Sequence, residues 1–167
     1  MQPINKSTDF IICPATREDC PTILAFIKQL AEYEKLAHEV VATEEKLQAS
    51  LFGEHPSAEV IIAEYQNSPV GFALFFTNYS TFLAKPGIYL EDLYVHVDMR
   101  GRGFGKKLLA YLARLAVERD CGRLEWSVLD WNQPAKDFYR SLDAEPMDDW
   151  TVNRLSGDSL TALADQC

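Results

Sequence analysis

Four cations and three glycines lie within eight consecutive residues of an otherwise acidic chain. The segment reads Arg100-Gly101-Arg102-Gly103-Phe104-Gly105-Lys106, and Lys107 follows it directly. Glycine lets a backbone approach a ligand closely, and the N–H groups at the start of a helix can together face one anion. The segment, called the glycine loop below, therefore predicts a site for a cofactor that carries several phosphates.

Two well-known phosphate-binding loops are disfavoured here. The P-loop pattern requires Gly-Lys followed by Ser or Thr, whereas Gly105-Lys106 is followed by Lys107. The dinucleotide-binding fold places its glycines directly after the first strand, and these glycines lie past the middle of the chain. A plain turn before a helix stays open as the alternative interpretation.

The glycine loop lies between a predicted strand and a predicted helix. The strand covers about Gly87 to Val97, and the helix ends at Gly122 after a single apolar stripe of Leu108, Leu109, Leu112, Leu115 and Ala116. Before them, the segments Val60 to Tyr65 and Val70 to Thr77 flank Gln66-Asn67-Ser68-Pro69, which is typical of an antiparallel hairpin. We expect the first half of the sheet to be antiparallel.

The remaining elements alternate between strand and helix. Phe10 to Cys13 predicts a strand, and helix starts are predicted near Asp19, at Thr43 and after Asn132. Alternating apolar residues predict a strand through Leu124, Trp126 and Val128. Thr151 to Leu155 predicts a last strand, and Gly157 to Ala164 a terminal helix. The order is that of an α/β (α+β) domain.

Composition excludes several classes of protein. A chain of 167 residues, 47% hydrophobic, predicts one domain over residues 1–167. A net charge of −9 argues against nucleic-acid or membrane binding, because both need a basic surface, and favours a cationic small molecule. Scattered cysteines and histidines predict no metal site. Since Met1 to Asp9 lack a signal-peptide pattern, we expect a cytoplasmic protein.

Longer motifs resemble one protein family. Arg100-x-x-Gly103-x-Gly105, between a hydrophobic strand and an amphipathic helix, resembles the acetyl-CoA loop of the GNAT acetyltransferase superfamily. The segments Tyr89-Leu90-Glu91-Asp92-Leu93-Tyr94-Val95 and Leu129-Asp130-Trp131-Asn132-Gln133-Pro134-Ala135 are similar to the diamine acetyltransferase branch, which includes spermidine/spermine and thialysine acetyltransferases. The resemblance implies an N-acetyltransferase with a mixed, mostly antiparallel sheet of six to seven strands, flanked by helices and splayed at the cofactor site.

The resemblance also implies where acetyl-CoA binds. The pantetheine arm would lie between the strand through Leu93 to Val95 and the strand from Leu124 to Leu129, and an N–H near Val95 would polarise the thioester carbonyl. The implied cofactor-binding residues are Leu93, Tyr94, Val95, Arg100, Gly101, Arg102, Gly103, Phe104, Gly105, Lys106, Asn132, Pro134 and Ala135.

Catalytic residues follow from the same resemblance. An alkyl ammonium has a pKa of about 10.4, so a proton must leave before or during attack on the thioester. Glu91 matches the family's base, acting through a water, and Tyr139 matches the residue that protonates the departing thiolate. A solvated strand carboxylate and a core aromatic residue are the plainer interpretations of the two.

The acceptor is implied to be a small primary amine. Residues matching acceptor-binding positions are Tyr33, Glu34, Glu91, Glu125, Trp126 and Ser127, while Asp148 and Asp149 could help close the pocket. Ser80 stands where polyamine-acetylating relatives carry an acid and looks more like the thialysine branch, so a lysine-like or short diamine acceptor is favoured. Asp143 replaces a usual glycine and predicts an altered turn.

Other functions stay open at this point. The same cofactor loop would serve an acetyltransferase of protein N-termini or lysine side chains. A silent acyl-CoA-binding module and an interaction protein are further alternatives, and the resemblance leads us to expect a homodimer.

Overall fold

A computed structural model describes residues 9–167 of the chain. The chain divides into two compact units, Met1–Ser127 and Val128–Cys167, and each is described on its own. The prediction of one domain stays a prediction, and the expectation for Met1 to Asp9 falls, apart from Asp9, outside the described residues. Among residues 9–167, none of the helices combines the length and apolar character needed to span a bilayer.

The first unit is built on one five-stranded sheet with the order β1-β2-β3-β4-β5. Neighbouring strands from β1 to β4 are antiparallel, and β5 runs parallel to β4. The predicted class, a mixed and mostly antiparallel sheet flanked by helices, is confirmed, but the predicted count of six to seven strands is wrong for the described residues. The strands are β1 Phe10–Pro14, β2 Glu59–Tyr65, β3 Ser68–Ser80, β4 Lys85–Val95 and β5 Leu124–Trp126.

The predicted hairpin joins β2 to β3 through a two-residue turn. Gln66 and Asn67 have φ values of 51° and 64°, and Tyr65 pairs with Ser68 across the turn. Two successive left-handed residues give a turn whose twist matches that of the flanking strands, and Asn adopts this conformation more readily than most residues. This turn sets the register of β3 against β2 at the turn end of the hairpin.

Helices α1 and α3 cover opposite faces of the sheet. Leu74 packs against the core formed by α1, while its neighbour Phe75 lines a cavity together with Leu115 of α3. Successive strand residues point to opposite faces, so the sheet separates the two helices. The helices of the first unit are α1 Cys20–Tyr33, α2 Glu44–Phe52 and α3 Phe104–Glu118.

Local capping and aromatic packing fix these helices. The Thr43 side chain accepts a hydrogen bond from the Lys46 N–H at 3.2 Å and caps α2 as predicted. On α1, the ring of Phe26 stacks on Phe72 of β3 with 5.6 Å between centroids. The first residue of α3, Phe104, stacks on Phe10 of β1 at 4.3 Å, which anchors the start of that helix to the sheet.

The second unit contains two helices, α4 Gln133–Ser141 and α5 Gly157–Ala164. The terminal helix is confirmed with the bounds that the sequence predicts. The predicted strand from Thr151 to Leu155 is wrong, because this segment has no regular structure, and Val152 is 80% exposed. A strand exists only when its N–H and C=O groups pair with another strand, and a local alternation of residues does not supply that partner.

Candidate active site

The two halves of β4 have different neighbours. β4 pairs with β5 only from Ile88 to Leu90, so within residues 9–127 the segment Glu91 to Val95 has a strand partner on the β3 side alone. This is the place where the sequence predicts a splay. Unpaired strand edges present N–H and C=O groups that an extended ligand can bind as an additional strand.

A β-bulge lies at the point where β4 loses its second partner. Leu90 pairs with Phe75 and Asp92 pairs with Leu74, which leaves Glu91 without a partner on β3. A bulge shifts the alternation of side chains by one residue. Asp92 consequently shares the α1 face with Leu74, whereas Leu90 shares the opposite face with Phe75.

Glu91 and Asp92 therefore lie in different environments although they are adjacent in sequence. Glu91, the predicted base, is exposed, and Asp92 is half-buried. Burial raises the pKa of Asp92 to about 6, and the negative charges of Glu91 and Glu34 add to this effect. Sequence reasoning missed Asp92, and a burial prediction for β4 that included the bulge could have found it.

Glu34 approaches Asp92 from the end of α1. Glu34 is the residue that follows the last turn of this helix, it is half-buried, and burial raises the pKa of its carboxyl. Two carboxyl groups that both hold protons more tightly than usual form a site in which a cation would be stabilised. The structure thus brings the predicted acceptor residue Glu34 to the unpaired half of β4.

Backbone N–H groups gather at the glycine loop. Gly101 and Gly103 have φ values of 76° and 79°, and a Cβ added to either would meet no atom of the described residues within 4 Å. The first N–H of α3 with an intrahelical partner is that of Lys107, which bonds to the Gly103 carbonyl at 3.0 Å. The N–H groups of Phe104, Gly105 and Lys106 therefore remain available to an anion at the positive end of the helix.

Aromatic rings hold three of the four cations near this loop. The Arg100 guanidinium lies 4.6 Å from the Tyr33 ring centroid, Arg102 lies 5.5 Å from Tyr65, and the Lys107 ammonium lies 4.8 Å from Phe10. Lys106 is exposed at the first turn of α3. The four predicted cations thus belong to the segment that carries these N–H groups, in a chain of net charge −9, and aromatic rings orient three of their side chains.

The other predicted acceptor residues of the first unit lie at the end of α1, on β5 and directly after β5. Tyr33, the last residue of α1, is 39% exposed, and Trp126 is the last residue of β5. Glu125 is paired with Arg123 at 2.8 Å and accepts from Asn78 at 3.1 Å. The Ser127 hydroxyl lies 2.6 Å from the hydroxyl of Tyr89, a β4 residue that sequence reasoning did not assign to the site.

Ser80 has a structural contact in the turn between β3 and β4. It is 5% exposed, and its hydroxyl accepts a hydrogen bond from the Leu83 N–H at 3.2 Å. A serine in this position fixes the turn and contributes no charge. His96 is likewise engaged locally, because its Nδ1 accepts from the Asp98 N–H at 3.3 Å.

The second unit holds the predicted acid and the second predicted cofactor segment. The Asn132 Oδ1 accepts from the Ala135 N–H at 3.3 Å and caps α4, with Pro134 in the first turn, as predicted. Tyr139 is half-buried in the last turn of α4, its ring 5.6 Å from that of Phe138. Asp148 and Asp149 are exposed beyond the helix.

Asp143 ends α4 in the left-handed conformation, with φ of 61°. The N–H of Ala144 bonds to the Tyr139 carbonyl at 3.2 Å, and the N–H of Asp143 bonds to the Arg140 carbonyl at 3.1 Å. These two bonds are those of a Schellman motif, which glycine usually closes. The helix end that the sequence predicted to change is retained, with aspartate in the strained position.

Comparison with known proteins gives concordant results. The model of the acetyltransferase (GNAT) family matches residues 25–143. Thialysine N-epsilon-acetyltransferase of Bos taurus is 38% identical over 165 residues, covering 92% of this chain and 96% of that protein. L-ornithine N5-acetyltransferase NATA1 of Arabidopsis thaliana is 34% identical over 194 residues, covering 89% and 85% of the two chains.

A solved structure shares the fold. An integron cassette protein from the mobile metagenome of V. cholerae superposes with a TM-score of 0.79 at 27% identity, over 93% of this chain and 98% of that one. The family match, the relatives and the fold therefore agree with one another and with the open edge of β4 beside the glycine loop. The chain belongs to the GNAT family of N-acetyltransferases.

Proposed function

We propose that this protein transfers the acetyl group of acetyl-CoA to a primary amine of a lysine-like amino acid or a short diamine. The observation that carries the proposal is the half of β4 that has no strand partner on its β5 side among residues 9–127, next to a loop of open N–H groups and cations. Relatives named for thialysine and L-ornithine acetylation support the acceptor class, because both are amino acids with a side-chain amine.

The glycine loop fits the diphosphate of the cofactor. The open space around Gly101 and Gly103 lets an anion reach the N–H groups of Phe104, Gly105 and Lys106, and the Lys106 ammonium supplies charge. The backbone of Leu93, Tyr94 and Val95 would bind the pantetheine amides. Asn132, Pro134 and Ala135 of the second unit are also proposed as cofactor-binding residues.

When bound, acetyl-CoA supplies the thioester carbon to which the amine nitrogen bonds as the carbon–sulfur bond breaks. Glu91 removes the proton of the ammonium group through a water, which leaves the nitrogen lone pair free. The Val95 N–H stabilises negative charge on the carbonyl oxygen. Tyr139 donates the proton that the departing sulfur needs.

Acceptor selection is assigned to the carboxylates near the end of α1. Glu34 and Asp92 stabilise a second positive charge on the acceptor, such as the α-ammonium of a lysine-like molecule. Tyr33, Glu125, Trp126 and Ser127 are proposed to line the acceptor site. Ser80 adds no negative charge to the turn after β3, and this favours a short dication over a long polycation.

The direct test measures thiol release from acetyl-CoA with lysine, thialysine, ornithine, short diamines, spermidine and a lysine-containing peptide. We expect turnover with lysine-like and short diamine acceptors and little with spermidine or the peptide. Turnover confined to the peptide would contradict the acceptor class and support a protein acetyltransferase. Coenzyme A binding without turnover of any acceptor would contradict catalysis.

The role of Tyr139 is tested by Tyr139→Phe. This change keeps the ring and removes the proton donor, so kcat should fall on the order of 100-fold while coenzyme A affinity stays within about twofold. Tyr111→Phe, on α3, is the matched control and should leave both values unchanged. An unchanged kcat in Tyr139→Phe would remove this residue from the mechanism.

Two broader features belong to the same proposal. A homodimer is supported by exposed apolar side chains in the second unit, among them Trp150 and Val152 at 73% and 80% exposure, and sedimentation would measure the oligomeric state.

A cytoplasmic location is supported by the free thiols Cys13, Cys20, Cys121 and Cys167.

A further inference from the structure

Arg100 opens the glycine loop, yet its side chain points back to the sheet and to α1. Its Nε donates to the Val95 carbonyl at 3.1 Å, which holds the last residue of β4. Its guanidinium lies 4.6 Å from the Tyr33 ring centroid and 5.6 Å from that of Tyr94. One side chain therefore contacts the end of α1, the end of β4 and the start of the glycine loop.

The groups that Arg100 contacts are themselves fixed. Tyr94 is 6% exposed, and its ring lies 5.8 Å from Phe26 in the core. The peptide that follows Val95 is held on its other side, because the His96 N–H bonds to the Val70 carbonyl at 2.8 Å. Arg100 thus connects the well-packed end of β4 to Tyr33, whose ring is partly exposed.

The Arg100–Tyr33 contact lies at the last residue of α1. Lys35 follows the helix with φ of 62°, and the Leu36 N–H bonds to the Ala31 carbonyl at 2.8 Å. Beyond this turn, the Arg100–Tyr33 contact is a link from the helix end to the glycine loop. Glu34, which we assign to the acceptor, lies between these two points of attachment.

We propose that Arg100 is a positioning residue that fixes Tyr33 and Glu34 for the acceptor, while the backbone of the glycine loop and Lys106 bind the cofactor. The proposal rests on the proposed function for its acceptor half. A planar guanidinium stacks on two rings and donates to a carbonyl at the same time, which a lysine ammonium does not reproduce.

Arg100→Lys keeps the charge and removes this geometry. We expect the acceptor KM to rise about tenfold, while kcat and the coenzyme A dissociation constant change by less than about twofold, given the usual strength of cation–π contacts. Lys106→Ala should give the reverse pattern, with weaker coenzyme A binding and an unchanged acceptor KM. Arg114→Lys is the matched control, because Arg114 stacks on Tyr111 at 5.8 Å elsewhere on α3.

A second measurement does not depend on turnover. Amide hydrogen exchange of Glu34 and Leu36, whose N–H groups bond to Leu30 and Ala31, should be faster in Arg100→Lys by about fivefold and unchanged in Arg114→Lys. Unchanged exchange at these amides would overturn the proposal, whether or not the protein acetylates any amine. Faster exchange with a wild type that acetylates none would remove the proposed function and keep Arg100 as the support of the α1 end.

The kinetic pattern separates positioning from direct cofactor binding. An Arg100→Lys protein in which coenzyme A binding weakens as much as in Lys106→Ala would identify Arg100 as a phosphate ligand and overturn the proposal. Equal losses in kcat and in both affinities, with a lower melting temperature, would also overturn it, since they describe a general defect of folding.

Discussion

The two halves of β4 belong to one strand and have opposite roles. In the first half, Lys85 to Leu90, the residues Ile88 to Leu90 have a strand partner on both sides, and Ile88 and Leu90 are almost fully buried. From Glu91 to Val95 it has one strand partner among the described residues, a bulge, an exposed carboxylate and a half-buried one. The fully buried aliphatic side chains of β4 lie in the first half, and the groups able to bind a ligand lie in the second.

The two halves of β4 meet at one position, where the strand loses its β5 partner and forms the bulge. Glu91 is extra in the β3–β4 ladder, and the pairing with β5 ends just before it. A bulge costs a ladder hydrogen bond and redirects the side chains that follow. The general lesson is that a strand can keep a rigid register at one end while it presents free backbone groups at the other.

The largest expected effect is a loss of stability in the first half. Ile88 is 0% exposed, so Ile88→Ala should lower the free energy of unfolding by about 2–5 kcal/mol. Val95→Ala, in the second half, removes a half-buried side chain and should cost about 1 kcal/mol. Urea denaturation of both variants measures the difference, and equal losses would break the contrast between the halves.

The second largest expected effect is a gain of stability when Asp92, in the second half of β4, is replaced. The folded-state pKa of Asp92, about 6, lies above its ordinary value of 3.8, so the ionised carboxylate destabilises the fold. This cost is absent below about pH 4, grows as pH rises to about 6 and is complete above that. Asp92→Asn should therefore raise the free energy of unfolding by about 1–3 kcal/mol at pH 7.5 while weakening acceptor binding.

Melting temperatures from pH 4 to pH 8 check this prediction. The advantage of Asp92→Asn over the wild type should vanish towards pH 4, where both proteins carry a neutral group. The variant Glu91→Gln removes one of the charges that raise the pKa of Asp92, so it should stabilise the protein above pH 6 by less than Asp92→Asn does. A pH-independent difference between Asp92→Asn and wild type would show that the carboxylate is not destabilising.

The smallest expected effect is a loss of coenzyme A affinity in the glycine loop, which lies beside the second half of β4. Among the described residues, a Cβ added to Gly105 would have only the Val95 Cγ2 within 4.0 Å. Gly105→Ala should therefore fold normally and weaken coenzyme A binding about fivefold by obstructing the N–H groups. Gly87→Ala is the contrasting variant, because its Cβ would lie 2.5 Å from the Asn78 Oδ1. It should lose stability and keep coenzyme A affinity, as calorimetry and thermal denaturation would show.

Local signals predicted most of the elements. Gln66-Asn67 specifies a turn by its own backbone preference, and Thr43 and Asn132 each cap a helix within four residues. The glycine loop was placed between its strand and helix for the same reason. Features that depend on a few neighbouring residues can be obtained from sequence.

Features that depend on distant partners could not be predicted. Thr151 to Leu155 alternates like a strand but has no ladder, and the bulge at Glu91 is set by the register of β3 against β4. Asp92 was missed because its burial follows from that bulge. Arg100 was predicted as an anion ligand, and its contacts with Tyr33 and Val95 arise from packing between α1 and β4.

The pairing of β1 with β2 has a consequence for the nascent chain. Phe10 pairs with Tyr65, and α1 and α2 are synthesised between the two strands. β2, β3 and β4 follow one another and can form hairpins at once, whereas β1 must wait until β2 has left the ribosome. The strand that emerges before the others is thus joined to the sheet only after a long loop closes, and until then its apolar side chains are available to chaperones.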